Sequence, residues 1–339
     1  MLLCRFCQTH RGEVMSYDKL RIIAALGIAL GALFQHAGAA EVYPARTVRL
    51  IVPLLPGAGT DIIARQFAVA LAPPLGQQVV VENKPGGATT LGANFVVKSP
   101  ADGYTLLVAT TSTLSVLPSV QKPPYDTAKD LIPVAAFSLS PFIMVVAADS
   151  RFKTLNDLIA AARADPGKLT FASSGTGTLT HMVVELLNVV AKINMLHVPY
   201  KGVTGAYMDV IGGRIDLVAD APASTLAQIK GGKFRALAIT STRRNPQLPS
   251  VPTVAELGLS GAESDFVTGL LAPAGTPRAV IARLQSETLK IAQSAEFKDF
   301  LAQQGYDPLA ASGEDFAARI RDELGKWNNV VRERNIKVD

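Results

Sequence analysis

Along the chain from Thr47, short runs of β-branched residues alternate with segments whose apolar residues recur every three or four positions. The runs predict strands, and the segments between them predict amphipathic helices that bury one face. Strands are predicted at residues 47–52, 78–82, 104–109, 169–172, 196–199, 215–219 and 234–239, and another near Val145. Helices are predicted at residues 60–71, 90–98, 154–164, 178–190 and 204–211, and in the tail from Pro277. The alternation is typical of βαβ units and predicts an α/β fold built on mainly parallel sheets.

Local sequence signals mark several helix ends. Pro73 and Pro74 are expected to stop the first helix, because proline cannot donate a backbone hydrogen bond and restricts the residue before it. Thr154 with Asp157 three positions later is a helix-start pattern in which each side chain binds a backbone amide. Ser312 is expected to cap the last helix in the same way.

The first forty residues have a different pattern. Lys19 and Arg21 precede an apolar run over residues 22–34, and small residues follow at 37–40. A basic start, a short apolar centre and a small-residue cleavage site predict a secretory signal peptide over residues 1–40, so the mature protein is expected in the periplasm. The apolar run is shorter than the roughly 20 residues that span a bilayer, which argues against an uncleaved anchor.

Two methionines, Met1 and Met15, are candidate starts of the chain, because Met15 stands just before the basic residues of the predicted signal. Residues 1–14 are therefore interpreted as a candidate upstream extension. Both cysteines, Cys4 and Cys7, lie in that stretch. Their Cys-x-x-Cys spacing is typical of redox and metal sites, but they precede the signal, so the mature chain is expected to lack cysteine.

Composition and charge argue against several classes of function. Lysine and arginine number 33 against 28 aspartates and glutamates, a net charge of +5. This excess is too small to predict binding of nucleic acid, which needs basic residues clustered on one face. The predicted mature chain keeps only His181 and His197 as histidines, with no cysteine beside them, so neither a metal site nor a cofactor is predicted.

Three loops rich in Gly, Ser and Thr directly follow predicted strands, at the positions where parallel α/β sheets bind their ligands. In the first loop, Gly57 and Gly59 let the backbone approach a ligand, and a helix start at Thr60 offers unpaired amides that suit an anion. One such loop would carry little weight, because these are ordinary turn residues, but three of the same chemistry favour a single cleft. With two residues after a fourth strand, the predicted ligand-binding residues are Leu54, Gly57, Ala58, Gly59, Thr60, Thr110, Thr111, Ser112, Ser173, Ser174, Gly175, Thr176, Gly177, Thr178, Asp220 and Ala221.

Two other kinds of site are disfavoured by the residues present. A phosphate-binding loop would need the pattern Gly-x-x-x-x-Gly-Lys, and no lysine stands near Gly59. A hydrolase would need a nucleophile and a base, and a triad of Ser173, His181 and Asp220 can be drawn. The nucleophile pattern Gly-x-Ser-x-Gly nevertheless fails, because Phe171 stands where the first glycine belongs. No catalysis is therefore predicted.

Several motifs, in order along the mature chain, resemble the Bug-type receptors of tripartite tricarboxylate transporters. One of them is Pro-Gly-Ala-Gly-Thr-Asp at residues 56–61. The other matching segments are residues 43–53, 81–87, 102–106, 124–126, 173–177, 197–202, 249–256 and 271–277.

The resemblance implies a fold of the type II periplasmic-binding-protein kind, in which two α/β lobes enclose a ligand cleft. Lobe 1 would hold residues 41–141 and 266–339, lobe 2 would hold residues 142–265, and the chain would cross near Phe142 and Phe266. It further implies a receptor without enzymatic activity that clasps a small organic acid with backbone amides and hydroxyls. Its partners would be the permease subunits of the inner membrane.

Departures from the family pattern concern the binding loops. Leu54, Leu55 and Ala58 make the first loop more apolar, Thr176 replaces a common asparagine, and the pair Asp220-Ala221 lacks a side-chain amide often found there. A less polar or differently shaped solute is therefore expected. Two other functions remain as hypotheses: an adaptor that presents its solute to a sensor kinase, and a periplasmic hydrolase.

Overall fold

A computed structural model of the chain describes residues 43–337. The predicted signal peptide over residues 1–40, the two candidate starts and both cysteines lie outside the described residues. From Arg46 onward the chain forms one compact unit. In the described part, no helix is both long enough and apolar enough to cross a membrane.

Strands and helices alternate through most of the described chain. The strands are β1 Val48–Val52, β2 Val79–Asn83, β3 Thr105–Thr110, β4 Leu131–Pro141, β5 Ile143–Ala147, β6 Thr170–Ser173, β7 Leu196–Pro199, β8 Leu217–Asp220, β9 Phe234–Ile239, β10 Asp265–Pro273 and β11 Asp307–Ser312. The α-helices are α1 Gly59–Leu75, α2 Thr90–Val97, α3 Leu117–Val120, α4 Thr127–Asp130, α5 Leu155–Ala164, α6 Leu179–Ala191, α7 Tyr207–Ile211, α8 Pro222–Lys230, α9 Arg278–Gln293, α10 Ala295–Gln303 and α11 Gly313–Arg334. Short 3-10 turns lie at Gly87–Thr89 and Val203–Ala206, and a π-helix at Ser112–Val116.

The strands form two sheets, one with the order β11-β4-β10-β3-β1-β2 and one with the order β7-β6-β8-β5-β9. β1 pairs with β2 and β3 in parallel, and β6 does so with β7 and β8. The remaining pairings between these strands are antiparallel, so the prediction of mainly parallel sheets is wrong. The reason is that β4 carries the chain out of the first sheet and β10 carries it back, which makes these neighbours run in opposite directions.

The chain passes between the two sheets at Phe142 and again just before Asp265. The hydroxyl of Thr240 links these two passages. It accepts a hydrogen bond from the Phe142 amide at 2.8 Å and donates one to the carbonyl oxygen of Ser264. The rings of Phe142 and Phe266 lie side by side, with centroids 5.6 Å apart. The lobe limits given above, at residues 141/142 and 265/266, remain a prediction.

Apolar packing fixes the helices that lead to the sheet ends. Phe67 on α1 stacks on Phe137 of β4 with ring centroids 4.4 Å apart, and Phe297 of α10 meets both rings edge-on. All three rings are fully buried. Burial of such side chains stabilises the fold by about 1.5–3 kcal/mol each, so the middle of α1 is held against β4 and α10.

Most predicted elements are present, and the exceptions have local causes. Helix α1 continues through Pro73 and Pro74 to Leu75, so these prolines do not stop it. Their fixed φ angle fits a last helical turn, and Gly76 in the left-handed conformation ends the helix instead. The predicted start at Thr154 is confirmed, since Thr154 and Asp157 form a reciprocal capping box.

Candidate functional site

The loop between β1 and α1 is shaped by the buried carboxylate of Asp61. This carboxylate accepts hydrogen bonds from the Gly57 amide at 2.8 Å, from Asn83 Nδ2 at 2.8 Å and from Arg65 Nε at 3.0 Å. Burial by itself would raise the pKa of the Asp61 carboxyl, but the bonds from Arg65, Gly57 and Asn83 together lower it below its usual value. Asp61 therefore stays ionised, and it holds the loop in place rather than facing a ligand.

The first turn of α1 is left without a side-chain cap. Its N-cap residue is Ala58, which has no hydrogen-bonding side chain. Within the described chain, the amides of Gly59, Thr60 and Asp61 donate to no protein acceptor, and the first bonded amide of the helix is that of Ile62, which reaches the Ala58 carbonyl at 3.0 Å. Such amides carry the partial positive charge of the helix N-terminus and attract anions.

The first turn of α6 repeats this arrangement in the second lobe. Its N-cap, Thr178, could cap the helix, but its hydroxyl donates to the Gly175 carbonyl at 2.7 Å instead. Within the described chain, the amides of Leu179 and Thr180 again find no protein acceptor. A second helix start with unpaired amide donors therefore lies next to the loop between β6 and α6.

Hydroxyl groups and glycines give the loop before α6 its shape. Thr180 Oγ1 accepts a hydrogen bond from the Ser174 amide at 2.9 Å. Gly175 and Gly177 adopt φ angles of +132° and +75°, which side chains with a Cβ rarely allow. Hydrogen bonds from short polar side chains to the loop backbone therefore fix the conformation of this loop.

A pair of histidines lies beneath this loop. Ser173 Oγ is 2.6 Å from His197 Nε2, and the ring of His197 stacks on that of His181 with centroids 3.8 Å apart. His181 Nδ1 accepts a hydrogen bond from the Gly177 amide at 3.1 Å, and its Nε2 lies 3.5 Å from the Glu185 carboxylate. Burial, followed by the nearby His181, lowers the pKa of His197 to about 4, while Glu185 opposes the shift. His197 is therefore neutral near neutral pH.

The second predicted loop, after β3, contributes through only part of its residues. Thr111 is fully buried, and its hydroxyl accepts a hydrogen bond from the Val267 amide at 3.2 Å, which ties β3 to β10. Thr110 and Ser112, on either side of it, lie on the wall of the cavity described below.

Asp220 is buried at the end of β8 and is held by protein groups. Its carboxylate accepts hydrogen bonds from the Tyr207 hydroxyl at 2.7 Å and from the Ala221 amide at 2.8 Å. Burial raises the pKa of Asp220 to about 6, although these bonds act in the opposite direction. The negative charge of Asp220 is also felt by Tyr306, since it adds to the burial that raises the pKa of that phenol.

One cavity of about 500 Å³ brings residues of both lobes together. Its wall combines apolar residues, hydroxyls, one amide and two glycines: Pro53, Leu54, Leu55, Ala58, Thr60, Pro85, Gly86, Ala88, Thr89, Thr110, Ser112, Leu117, Val120, Gln121, Phe142, Ser174, Thr176, Gly177, Thr178, Leu179, Thr180 and Phe266. No described residue on this wall has a charged side chain. The starts of α1 and α6 both border the cavity, through Thr60 on one side and Thr178 on the other.

The sixteen predicted residues fall into two groups. On the cavity wall lie Leu54, Ala58, Thr60, Thr110, Ser112, Ser174, Thr176, Gly177 and Thr178. The wall does not include Gly57, Gly59, Thr111, Ser173, Gly175, Asp220 and Ala221. Most of the second group do not line the cavity themselves, but they make the hydrogen bonds described above, which hold the neighbouring loops in place. Gly59 is needed for space, because the Tyr306 hydroxyl occupies the position where a Cβ would project.

The sequence did not point to several residues of the wall. Thr180 lies two residues after the end of the third loop, in the first turn of α6, and could have been found by extending that loop into the helix. Phe142 and Phe266 were predicted only as crossing points, and Gln121 and Thr89 belong to segments without a distinctive composition. These positions reach the cavity through the tertiary fold.

The catalytic triad that the sequence allowed on paper does not form. Ser173 is bonded to His197 rather than His181, and the Asp220 carboxylate binds Tyr207 and Ala221. His181 is buried, and its Nδ1 already accepts a hydrogen bond from the Gly177 amide. Among the described residues, no group of three or more His, Cys, Asp or Glu is arranged to hold a metal ion.

Two α/β lobes that share one cavity, with the start of a helix from each lobe at its wall, define a two-lobed solute-binding architecture. The chain belongs to the receptor family of the tripartite tricarboxylate transporters: the model described as "Tripartite tricarboxylate transporter family receptor" matches residues 63–336. The suspected family is thereby confirmed.

Relatives extend this likeness over nearly the whole chain. The UPF0065 protein in the tcbD-tcbE intergenic region of Pseudomonas sp. (strain P51) is 36% identical over 322 residues, covering 95% of this chain and 96% of that protein. Protein BugT of Bordetella pertussis is also 36% identical, over 326 residues, with 94% and 98% covered.

Solved structures share the fold. The periplasmic binding protein BugD superposes with a TM-score of 0.74 at 31% identity, covering 87% of this chain and 99% of that one. Rpa4515 of R. palustris, solved with adipate, has a TM-score of 0.77 at 30% identity, with the same two coverages of 87% and 99%. The predicted periplasmic-binding-protein fold of two α/β lobes is confirmed by these matches.

Proposed function

We propose that the protein is a periplasmic receptor that captures a small carboxylate-bearing organic molecule and delivers it to a permease of the tripartite tricarboxylate type. The observation that carries this proposal is the meeting of two uncapped helix starts, those of α1 and α6, at one cavity. Each offers backbone amides without a protein acceptor in the described chain. A bound carboxylate supplies the acceptors that both helices lack.

Hydroxyl groups strengthen this preference for an anion. Thr60 borders the cavity at the first helix start, and Ser174 and Thr178 border it at the second. Hydroxyls and amides donate hydrogen bonds to an ionised acid, and bonds to a charged acceptor are roughly twice as strong as neutral ones. No acidic side chain stands on the described wall to repel the ligand. The adipate bound by the related Rpa4515 supports a carboxylate as the ligand class.

Delivery requires that the two lobes move. Solute that contacts both helix starts would stabilise a closed arrangement, and the link made by Thr240 between the two chain crossings gives that motion a defined pivot. Export of the chain through the predicted signal peptide and docking of the closed receptor on permease subunits complete the proposed role.

Thermal unfolding in the presence of candidate solutes tests the receptor function. Hexanoate, benzoate, adipate, malate and citrate are each compared with buffer, and hexanamide and benzamide serve as neutral controls of the same shape. A ligand that binds the native state raises the melting temperature, so at least one acid should do so and both amides should not. An unchanged melting temperature with every acid would overturn the proposal.

A blocked cavity supplies the matched control. Thr176 is exposed and lies on the wall, so Thr176→Trp should fill the cavity without disturbing the core and abolish the shift. Thr47 is also exposed but lies before β1 and outside the wall, so Thr47→Trp should leave the shift unchanged. Equal shifts in the two variants would count against this cavity as the site.

A further inference from the structure

Two histidines hold the backbone of the loop before α6, which supplies part of the cavity wall. The wall residues of this loop are Ser174, Thr176, Gly177 and Thr178. The Gly177 amide donates a hydrogen bond to His181 Nδ1 at 3.1 Å. The Gly175 amide donates at 3.0 Å to Ser173 Oγ, which lies 2.6 Å from His197 Nε2. Neither histidine borders the cavity, so both act on the loop rather than on a solute.

The hydrogen bond from Gly177 determines which nitrogen of His181 carries the proton. Because a backbone amide can only donate, Nδ1 is the acceptor, and the proton of the neutral ring lies on Nε2. This Nε2 lies 3.5 Å from the Glu185 carboxylate. Burial by itself would raise the pKa of Glu185. Hydrogen bonds from His181 and Asn188, together with Arg334 of α11, lower that pKa below its usual value, so an ionised carboxylate stands beside Nε2.

A second proton on His181 does not fit this arrangement. The imidazolium ring donates through both nitrogens, so the proton on Nδ1 would face the N–H of Gly177 and the hydrogen bond would be lost. In the described chain, the titratable groups around the ring are Glu185 on α6 itself, the stacked His197 on β7 and, behind Glu185, Arg334 on α11. Burial, followed by the nearby His181, lowers the pKa of His197 to about 4. A proton that enters this pair of rings is therefore assigned to His181.

We propose that His181 is a positioning residue for the solute: its unprotonated Nδ1 holds the Gly177 amide so that the loop before α6 is set for binding, and a proton taken up at Nδ1 releases the loop. This inference rests on the proposed receptor function and adds to it a residue that touches no solute. It predicts that the receptor captures its solute at neutral pH and holds it less tightly in acid.

Two substitutions separate the acceptor on His181 from the packing of its ring. His181→Phe keeps a planar ring beside His197 but removes the acceptor for the Gly177 amide. Asparagine carries Oδ1 where histidine carries Nδ1, so His181→Asn keeps an acceptor that takes up no proton. Melting temperatures measured without solute show whether each variant is folded.

Calorimetric titration at pH 8 compares these variants on protein purified from cells that express the full chain. The probes are hexanoate, benzoate, adipate, malate and citrate. For each acid that the wild type binds, His181→Phe should bind at least about tenfold more weakly, because a buried amide is left without its partner. His181→Asn should restore most of that affinity. Equal affinity of the wild type and His181→Phe would overturn the inference and leave the receptor function intact, whereas binding of no acid by the wild type would overturn both.

The pH profile distinguishes this role from a merely structural one. Between pH 8 and pH 5 the affinity of the wild type should fall at least about fivefold more than that of His181→Asn, since only the wild type can place a proton at Nδ1. Protonation of the acids themselves, and of Asp220, whose pKa burial raises to about 6, is common to both proteins and cancels in the comparison. Parallel profiles for the two proteins would overturn the inference.

Nuclear magnetic resonance of the imidazole nitrogens tests the hydrogen bond without any solute. His181 and His197 are the only histidines after residue 40, so the signals of the labelled rings are few, and those of His181 are the ones that His181→Asn removes. At pH 8, Nδ1 of His181 should be unprotonated and Nε2 protonated, and the Gly177 amide should be protected from hydrogen exchange. A proton on Nδ1 at pH 8 would overturn the inference whatever the affinities.

Discussion

The helices α1 and α6, which begin at the cavity, lack side-chain caps, whereas several helices that begin elsewhere have them. Away from the cavity, α5 and α11 begin with the capping boxes of Thr154 and Ser312, and α10 begins at Ser294, whose hydroxyl accepts the Phe297 amide. At the cavity, α1 begins at Ala58 and α6 at Thr178 without any side-chain cap. Helices α7, α8 and α9 begin away from the cavity and are also uncapped, and α2 begins uncapped at Thr89, which lies on the cavity wall.

The comparison shows which helix starts lack the stabilisation that a side-chain cap provides. A side-chain cap stabilises a helix by about 1 kcal/mol, so each uncapped start is a local loss. At α1 and α6 the loss coincides with a shared cavity, where a bound carboxylate would replace the missing caps. A substitution that installs or removes a cap should therefore affect binding at the cavity and stability elsewhere.

The largest expected effect comes from installing a cap at the cavity. Ala58→Asp places a carboxylate where it accepts the free amides of α1 and repels an anionic ligand. Binding of hexanoate should weaken at least about 300-fold, equivalent to roughly 3.4 kcal/mol, while the melting temperature of the free protein stays the same or rises. Calorimetric titration and thermal unfolding measure the two quantities. Unchanged affinity with a raised melting temperature would mean that α1 does not take part in binding.

A second effect concerns the histidines under the α6 loop. Because the pKa of His197 is lowered from 6.5 to about 4, the unfolded chain binds a proton more readily than the native one between those values. His197 therefore favours folding fully above pH 6.5, and this contribution falls by about 2–3 kcal/mol as the pH drops towards 4. Denaturant unfolding of wild type and His197→Gln between pH 7 and pH 4 measures it.

The comparison with the variant is needed because other groups titrate in the same range. The pKa values of Asp220 and Asp265 are each raised to about 6, chiefly by burial, so protonation of these two carboxyls favours the native state as the pH falls. Their contribution is common to both proteins and cancels in the difference. If wild type and His197→Gln lose stability in parallel, His197 does not titrate as proposed.

The smallest effect comes from removing a cap that faces away from the cavity. Thr154→Ala deletes the hydroxyl that accepts the Asp157 amide at 3.1 Å and should lower the free energy of unfolding by about 1 kcal/mol. Affinity for hexanoate should stay within twofold, since α5 does not border the cavity. Denaturant unfolding and calorimetry together check this outcome. A large loss of affinity would contradict the view that the cap of α5 serves only stability.

The parts of the fold that the sequence predicts well are those with local signals. The alternation of strands and helices, the capping box at Thr154 and the three loops rich in Gly, Ser and Thr all depend on residues close together in the chain. Thr60 and Thr178 were found this way, because a helix start after a strand is a local feature. The antiparallel strands β4 and β10 were missed, since long buried strands lack the alternation of a half-exposed strand. Strand β11 was missed as well, although it is short and only partly buried.

The rest of the site depends on distant segments. Tyr306 determines why residue 59 must be glycine, yet the two are separated by most of the chain. Likewise Ser173 was paired with His181 in the triad considered from the sequence, whereas the tertiary fold pairs it with His197. Gln121, Phe142 and Phe266 reach the cavity from separate segments of the chain that share no motif.

A crystal structure of the protein with a bound acid, benzoate for instance, tests the central claim most directly. A carboxylate filling the missing caps should have oxygens at about 2.7–3.2 Å from the amides of Gly59 or Thr60 and of Leu179 or Thr180, directly or through one water. The ring should lie against Phe142 or Phe266. A carboxylate bound instead to a basic side chain, with both helix starts left free, would contradict the claim.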